Sequence, residues 1–387
     1  MKIGITCYPT YGGSGAVATE LGIALADRGH EVHFITYRQP FRLPSFLPRI
    51  FFHEVDVGRY PLFEFPPYDL ALAVRMHEVV RTHGLELLHC HYAIPHATSA
   101  WIAREMLRET GEDVHLITTL HGTDITIVGQ DPSFYPITKF SIEKSDRITA
   151  VSEYLREETC RAFGCEGLDL EVIHNFIDPD LYNREKYPPI LKEQFGRSKP
   201  ILMHVSNFRA VKRVRDVVRI FAEVNRELPS MLVMIGDGPD RPGAEEEARI
   251  LGVEDSVLFL GKLDQIAPLL AAADLFLLPS QTESFGLSAL EALASGVPVV
   301  GSNAGGLPEV IRDGETGILC PVGDVPGMAA AALEILQAPG RWDQMSELAS
   351  RDARERFSRE AIVSKYESLY KRSLPVHKKR SLPIHKS

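Results

Sequence analysis

The chain has 387 residues, too many for one ordinary domain and comfortable for two. Hydrophobic residues make up 44% and charged residues 24%, a globular balance that excludes a disordered or fibrous protein. With 42 basic and 52 acidic side chains the net charge is −10, which argues against nucleic-acid binding through a basic surface. The longest apolar run, Leu269–Pro279, is short of a bilayer span and broken by Asp274, so no stable membrane association is expected. Lys2 leads directly into a strand-like segment without signal-peptide architecture, and the expected location is cytoplasmic. The five cysteines (Cys7, Cys90, Cys160, Cys165, Cys320) form no C-x-x-C pair and read as reduced thiols.

Short β-rich runs alternate with helical patterns from one end to the other. The first half gives Lys2–Cys7, Glu31–Thr36, Leu87–Cys90, His115–Thr119, Arg147–Val151 and Leu170–Ile173. Helical periodicity fills most gaps, as in Tyr68–His83, where Leu72, Met76, Val79 and Val80 recur every three or four residues. The second half repeats the scheme with Ile201–Val205, Met231–Ile235, Val257–Leu260, Leu275–Pro279, Val297–Gly301 and Gly317–Cys320. Apolar runs separated by helices imply parallel sheets, because parallel strands need crossover connections. The expectation is an α/β protein of two doubly wound Rossmann-like domains, with ligands in a central cleft where strand C-termini face each other. Residues 1–178 form the first domain and 179–357 the second, with turn residues crowding the boundary. A helix at about 358–372 is expected to return to the first domain, and 373–387, with its near-copies SLPVHK and SLPIHK, reads as a disordered tail. The segment Tyr37–Tyr68, rich in Pro and Phe, reads as a long, partly ordered excursion.

The turn after the first strand ends Gly12-Gly13-Ser14-Gly15, which allows close backbone approach to an anion at a helix N-terminus. Gly13, Gly15 and Ala18 also fit G-x-G-x-x-A, so an NADP-dependent oxidoreductase is an alternative. The second strand ends Thr36-Tyr37-Arg38-Gln39, without the carboxylate that would hold an NAD ribose. His89, His91 and His96 lack a completing carboxylate or thiol, and Asp178-Pro179-Asp180 sits in a proline-rich turn, so no metal is expected. The most informative stretch is Glu283-Ser284-Phe285-Gly286-Leu287-Ser288-Ala289-Leu290-Glu291-Ala292. A helix starting near Gly286 presents free N–H groups suited to a diphosphate, Glu283 stands ahead of it, and Glu291 lies just over a turn inside.

This E-x7-E pair, with Gly296-Val297-Pro298-Val299-Val300, Gly305-Gly306-Leu307-Pro308-Glu309, Gly236-Asp237-Gly238-Pro239 and Gly314-Glu315-Thr316-Gly317, resembles the retaining GT-B glycosyltransferases of family four. The resemblance implies a hexosyltransferase using a UDP-sugar, with Glu283 on donor-sugar hydroxyls and Glu291 on the ribose. Lys212 matches a diphosphate-binding Lys of the family; the partner Arg position holds Asn207, and Arg209 is a candidate for the missing charge. The resemblance adds Gly15, Asn175, Ser206, Asn207, Gly236, Phe285, Gly286, Leu287 and Ser288 to the donor site, and makes Glu283, Lys212, His121 and Arg209 the catalytic candidates.

A narrower similarity rests on His91-Tyr92-Ala93-Ile94-Pro95-His96, Thr119-Leu120-His121-Gly122-Thr123-Asp124, His174-Asn175-Phe176-Ile177-Asp178 and Phe41-Arg42-Leu43-Pro44. It points to the branch of the family that moves N-acetylglucosamine from UDP-GlcNAc to L-malate in bacillithiol biosynthesis. Gly13, Ser14, Tyr92, Thr123 and Arg209 would then receive the acceptor carboxylates. No carboxylate is placed by motif as a nucleophile, so a front-face route is expected, independent of metal and of any other cofactor. Alternatives are a lipid acceptor on the same fold, the oxidoreductase above and a catalytically silent sugar-nucleotide binder. A homodimer is compatible with the sequence and not specified by it.

Overall fold

The computed structural model describes residues 1–10, 12–58, 64–188, 190–195 and 199–374. The first sheet contains β1 (Lys2–Thr6), β2 (Glu31–Thr36), β3 (Ile50–Glu54), β4 (Leu87–His91), β5 (His115–Leu120), β6 (Arg147–Ala150) and β7 (Leu170–Val172). The second contains β8 (Ile201–Val205), β9 (Met231–Ile235), β10 (Val257–Gly261), β11 (Leu275–Leu278), β12 (Val299–Ser302) and β13 (Gly317–Cys320). Their orders are β3-β2-β1-β4-β5-β6-β7 and β10-β9-β8-β11-β12-β13, and all the pairings are parallel. Strands β4, β8, β9, β11 and β12 are buried at every residue, which is why they read as unbroken apolar runs. In each sheet the order reverses beside the first strand, between β1 and β4 and between β8 and β11. Crevices open beyond the strand C-termini at such points.

Two departures from the sequence reading concern chain outside the expected elements. The excursion after β2 contains β3, whose Ile50, Phe51 and Phe52 pair in register with Val32, His33 and Phe34. It escaped notice because an edge strand with both Phe51 and Phe52 exposed carries no clean alternation. Cys160 and Cys165 are joined by a disulfide at the end of the helix Glu153–Phe163, in place of the reduced thiols that their spacing suggests; Cys7, Cys90 and Cys320 are free and buried.

The chain passes between the two sheets twice. Ile177 N donates to Phe357 O at 3.0 Å and Arg359 N to Ile177 O at 2.9 Å, so the outgoing and returning segments lie side by side. The returning helix, Arg359–Ser373, buries Ile362, Val363, Tyr366, Leu369 and Tyr370 in one core with Ile3, Ile5, Val17 and Leu21. Ser373 is its last residue, and 375–387, nearly all of the expected tail, lie outside the described residues. Among the described residues no helix is long and apolar enough to cross a membrane.

Candidate active site

On the second-sheet side the site rests on the loops that follow β8 and β11. Ser206, the residue after β8, places its hydroxyl 2.7 Å from Nε2 of buried His204, while Gly236 presses behind it. A Cβ on Gly236 would stand 1.8 Å from Ser206 O, so only glycine lets β9 end this close to the loop. A short helical turn, Ala210–Lys212, then aims Lys212 across to the β11 loop. Lys212 Nζ lies 2.6 Å from Oε1 of Glu283, and the Ser280 hydroxyl donates to the same oxygen at 2.8 Å. Gly286 caps the helix Leu287–Ala294 with φ 98°, a conformation an L side chain rarely adopts, and the helix start faces the cleft.

Glu291 projects from the second turn of that helix and is 5% exposed. Its Oε1 accepts from Tyr182 OH at 2.6 Å and from Arg42 Nη2 at 3.4 Å. Burial works against the Arg42 charge, yet Tyr182, Glu291 and Glu20 together carry its pKa above the ordinary value. Burial beside Glu291 pushes the Tyr182 phenol well above its ordinary range. In the sequence Arg42 stands out only within Phe41-Arg42-Leu43-Pro44, and no motif marks Tyr182, which sits in the turn-rich stretch between the two sheets. No spacing rule links them to Glu291, which is 249 and 109 residues distant.

The first-sheet side is built around the Gly12–Ser14 turn and the loops after β4 and β5. A Cβ on Gly15 would come within 2.5 Å of Tyr8 O, so the first helix starts pressed against its own strand. Tyr92 has φ 98°, stacks edge-on to Tyr8 with ring centroids 5.1 Å apart, and reaches the Ser14 and Thr123 hydroxyls. Burial pushes its phenol up to about 12, with those two hydroxyls working the other way. Asp124 is buried, its Oδ2 accepting from Ala93 N at 3.0 Å and its Oδ1 from Gly122 N at 2.9 Å. Burial raises its pKa to about 6 against the pull of those N–H groups. This carboxylate clamps two loops and is not presented as a free nucleophile.

His121 belongs to a buried chain. Its Nε2 is 2.8 Å from His91 Nδ1, and the adjacent His89 contacts Tyr370 OH at 2.8 Å and Thr119 Oγ1 at 2.7 Å. Burial lowers the pKa of His121 and of His89 to about 3 and that of His96 to about 4, so these imidazoles are neutral near pH 7. A neutral His121 can give or take a hydrogen bond but is a poor proton reservoir.

These side chains converge on two adjoining cavities of about 720 and 290 Å³. The larger is lined by Gly13, Ser14, Tyr92, His121, Thr123, Asn175, Phe285 and Gly286. The smaller is lined by Arg42, Val205, Ser206, Ile266, Ser288 and Glu291. Asn207, Arg209, Lys212, Glu283 and Leu287 line both, which puts the cationic groups on the seam between the chambers. Arg209 is exposed at that seam and makes no ion pair with any described residue. Gly15 and Gly236 alone among the expected binding residues line neither cavity; they support the backbone behind it. Across the cleft floor, a Cβ on Gly122 would collide with Ser284 Oγ at 1.7 Å. Glu309 also spans the floor, accepting from the backbone N–H groups of Glu153 and Tyr154 at 2.9 Å each and contacting His174 Nε2 at 3.1 Å.

Two facing doubly wound domains with a cation-lined seam between them define a GT-B glycosyltransferase. Residues 11–181 match the family model described as Glycosyltransferase Family 4, and residues 199–338 match Glycosyl transferases group 1. N-acetyl-alpha-D-glucosaminyl L-malate synthase of Bacillus anthracis is 50% identical over 371 residues, covering 96% of each chain. D-inositol 3-phosphate glycosyltransferase 2 of Catenulispora acidiphila is 28% identical over 396 residues, 94% of this chain and 90% of that one. The structure of Anabaena HepE in complex with UDP-glucose superposes with a TM-score of 0.77 at 20% identity, over 96% of this chain and 100% of that one. The chain belongs to the family-four glycosyltransferases, and the oxidoreductase alternative falls with that assignment.

Proposed function

We propose that this enzyme moves N-acetylglucosamine from UDP-GlcNAc to the hydroxyl of L-malate with retention of the α configuration, the opening step of bacillithiol biosynthesis. The observation that carries the reading is the 50% identity, over 96% of both chains, to a protein named for that reaction. The site chemistry supports it. Val205 and Ile266 offer apolar walls for a base next to Glu291, which would take the ribose diol. The diphosphate would then cross the seam at Lys212, Arg209 and the start of the Leu287–Ala294 helix, which leaves the sugar in the larger chamber between Glu283 and His121. Malate would enter against Gly13, Ser14, Tyr92 and Thr123.

Chemically, the malate hydroxyl oxygen bonds to the anomeric carbon as the bond to the β-phosphate oxygen breaks on the same face. The malate proton passes to the departing phosphate. Lys212, Arg209 and the helix end stabilise the charge that grows there. The buried carboxylates of the larger chamber are committed elsewhere, Asp124 to backbone N–H groups and Glu283 to Lys212 and Ser280, which supports a route without a covalent intermediate. With cations and N–H groups meeting the phosphates, turnover requires no metal ion and survives EDTA. The test is to incubate the protein with UDP-GlcNAc and a panel of hydroxy acids and lipid extracts, then read product mass. A product heavier than malate by one N-acetylhexosamine residue supports the reading; transfer only to a lipid, or none to malate, overturns it.

A further inference from the structure

Well away from the cleft, three imidazoles meet on one face of the first sheet. His33 lies on β2 and His53 on β3, paired so that His33 faces Phe51 and Ile35 faces His53. Residues two apart share a face, so both imidazoles project to the same side. His83 arrives from above as the last residue of the helix Tyr68–His83, continuing the buried stripe of Met76, Val79 and Val80. The ring centroids of His33 and His53 are 5.1 Å apart, those of His33 and His83 4.7 Å, and those of His53 and His83 5.1 Å. One ring nitrogen from each lies within 4.8 Å of the others, the one such set of three ligating groups among the described residues. None of the three lines the cleft.

From this geometry we propose that His33, His53 and His83 form a binding site for a borderline divalent transition-metal ion of the zinc class, separate from the glycosyl-transfer site. Three imidazoles with one open position are a donor set suited to such an ion. The tautomers are already arranged for it. His33 Nε2 lies 3.0 Å from Glu31 Oε1, an oxygen that Lys2 Nζ also contacts at 3.0 Å. A carboxylate on the far nitrogen fixes the proton there and turns the lone pair of Nδ1 inward, the outer-shell device common to metal-bound histidines. That Nδ1 is 2.8 Å from His53 Nε2, which therefore supplies the shared proton when no ion is bound. An ion replaces this proton, which moves to His53 Nδ1, so both imidazoles stay neutral. Tetrahedral bonds of about 2.0–2.1 Å separate ligand nitrogens by about 3.3 Å, so the pair must open by about 0.5 Å. His53 and His83 are only half-buried and sit at a sheet edge and a helix end, where such movement is easy.

Electrostatics also favours the ligating form. Burial lowers the His33 pKa, and burial together with His33, His83 and Arg75 lowers that of His53 to about 4. Arg75 is the opposing cation, and its guanidinium is partly neutralised by Glu78 at 3.1 Å.

The experiment is titration of the chelator-treated full chain with Zn²⁺ by calorimetry, with Co²⁺ absorption as a second probe of coordination. The wild type is expected to bind one equivalent at this site and to melt at a higher temperature when loaded. His53→Gln and His83→Gln should each weaken binding at least about tenfold and abolish the melting shift. Melting temperatures of the metal-free variants equal to that of the wild type would show that the fold is intact. His83→Gln, at the end of a helix, guards against a folding defect in the strand variant. Absence of stoichiometric binding by the wild type, or binding that neither substitution weakens, overturns the proposal.

Discussion

The Lys212 ammonium stands 2.6 Å from Oε1 of Glu283, and both side chains are largely removed from solvent. The contact joins the loop after β8 to the loop after β11 at the point where the two chambers meet. Each partner neutralises the other in a cleft where an isolated charge would be expensive. Glu283 Oε2 has no partner among the described residues and, on the proposed reading, is the oxygen that would meet a donor hydroxyl. Lys212→Ala should lower kcat by about 10²–10³, because it removes the fixed cation beside the leaving group and frees Glu283 from its register. Glu283→Ala should act mainly on kcat as well, with little change in UDP affinity. Steady-state kinetics with UDP inhibition separates these effects; a mutant that changes only KM would contradict the assignment.

On the proposed reading Glu291 takes the ribose, farther from the reacting carbon. Glu291→Ala should chiefly weaken UDP binding, since the ribose contact is the same in ground and transition states. The structure adds a milder probe. Tyr182→Phe removes one donor to Glu291 and should weaken UDP affinity roughly two- to tenfold, the size of one hydrogen bond, with kcat within about twofold. Parallel losses in kcat and affinity for both variants would count against a remote role.

Arg209, a seam cation with no ion pair among the described residues, distinguishes two ways of building the site. A site that neutralises both malate carboxylates leaves a polar group unpaired when lactate replaces malate, so lactate should be poorer by at least about tenfold. If Arg209 meets the second carboxylate, Arg209→Ala narrows that gap. If it serves the diphosphate in place of the family Arg, the mutant loses both acceptors equally and binds UDP more weakly. Wild-type enzyme using lactate as well as malate would refute the dicarboxylate assignment.

The buried histidines set the response to acid. Burial holds His89 and His121 at about 3, His96 and His204 at about 4, and His91 well below its ordinary value. In the unfolded chain all would titrate near 6.5. As pH falls from 6.5 toward 4 the unfolded state takes up protons that the folded state refuses, so stability falls. Asp124 works in the opposite sense: its folded carboxyl, at about 6, holds a proton that the unfolded group has already lost. These five imidazoles, joined by the depressed His33 and His53, outnumber Asp124 and the raised Glu20, and that decides the sign. Urea unfolding midpoints should fall from pH 7.5 to pH 5, and more steeply in Asp124→Asn. A midpoint that is flat or rises on acidification would contradict this account.

What could be read from the sequence was whatever depends on neighbours along the chain. Runs such as Ile201–Val205 and Met231–Ile235 are buried on both faces, so their composition alone marked them as strands of parallel sheets. The Glu283–Glu291 pair was visible because one strand–loop–helix junction carries both residues. The hidden features are those made by distant segments: Tyr182 and Arg42 on Glu291, the 2.8 Å contact of His91 with His121, and the meeting of His33, His53 and His83. Strand β3 was missed for another reason, since an exposed edge has no buried face to impose a period.

The helix Arg359–Ser373 has a bearing on how the chain comes to be folded. Tyr366 and Tyr370 are among the largest fully buried side chains of the molecule, and they complete the core beneath β1 and the first helix. During synthesis, the amino-terminal sheet therefore emerges with one side unsealed, and it stays so until the whole carboxy-terminal sheet has been made. The half that is translated first is finished last, when the returning helix Arg359–Ser373 closes its core.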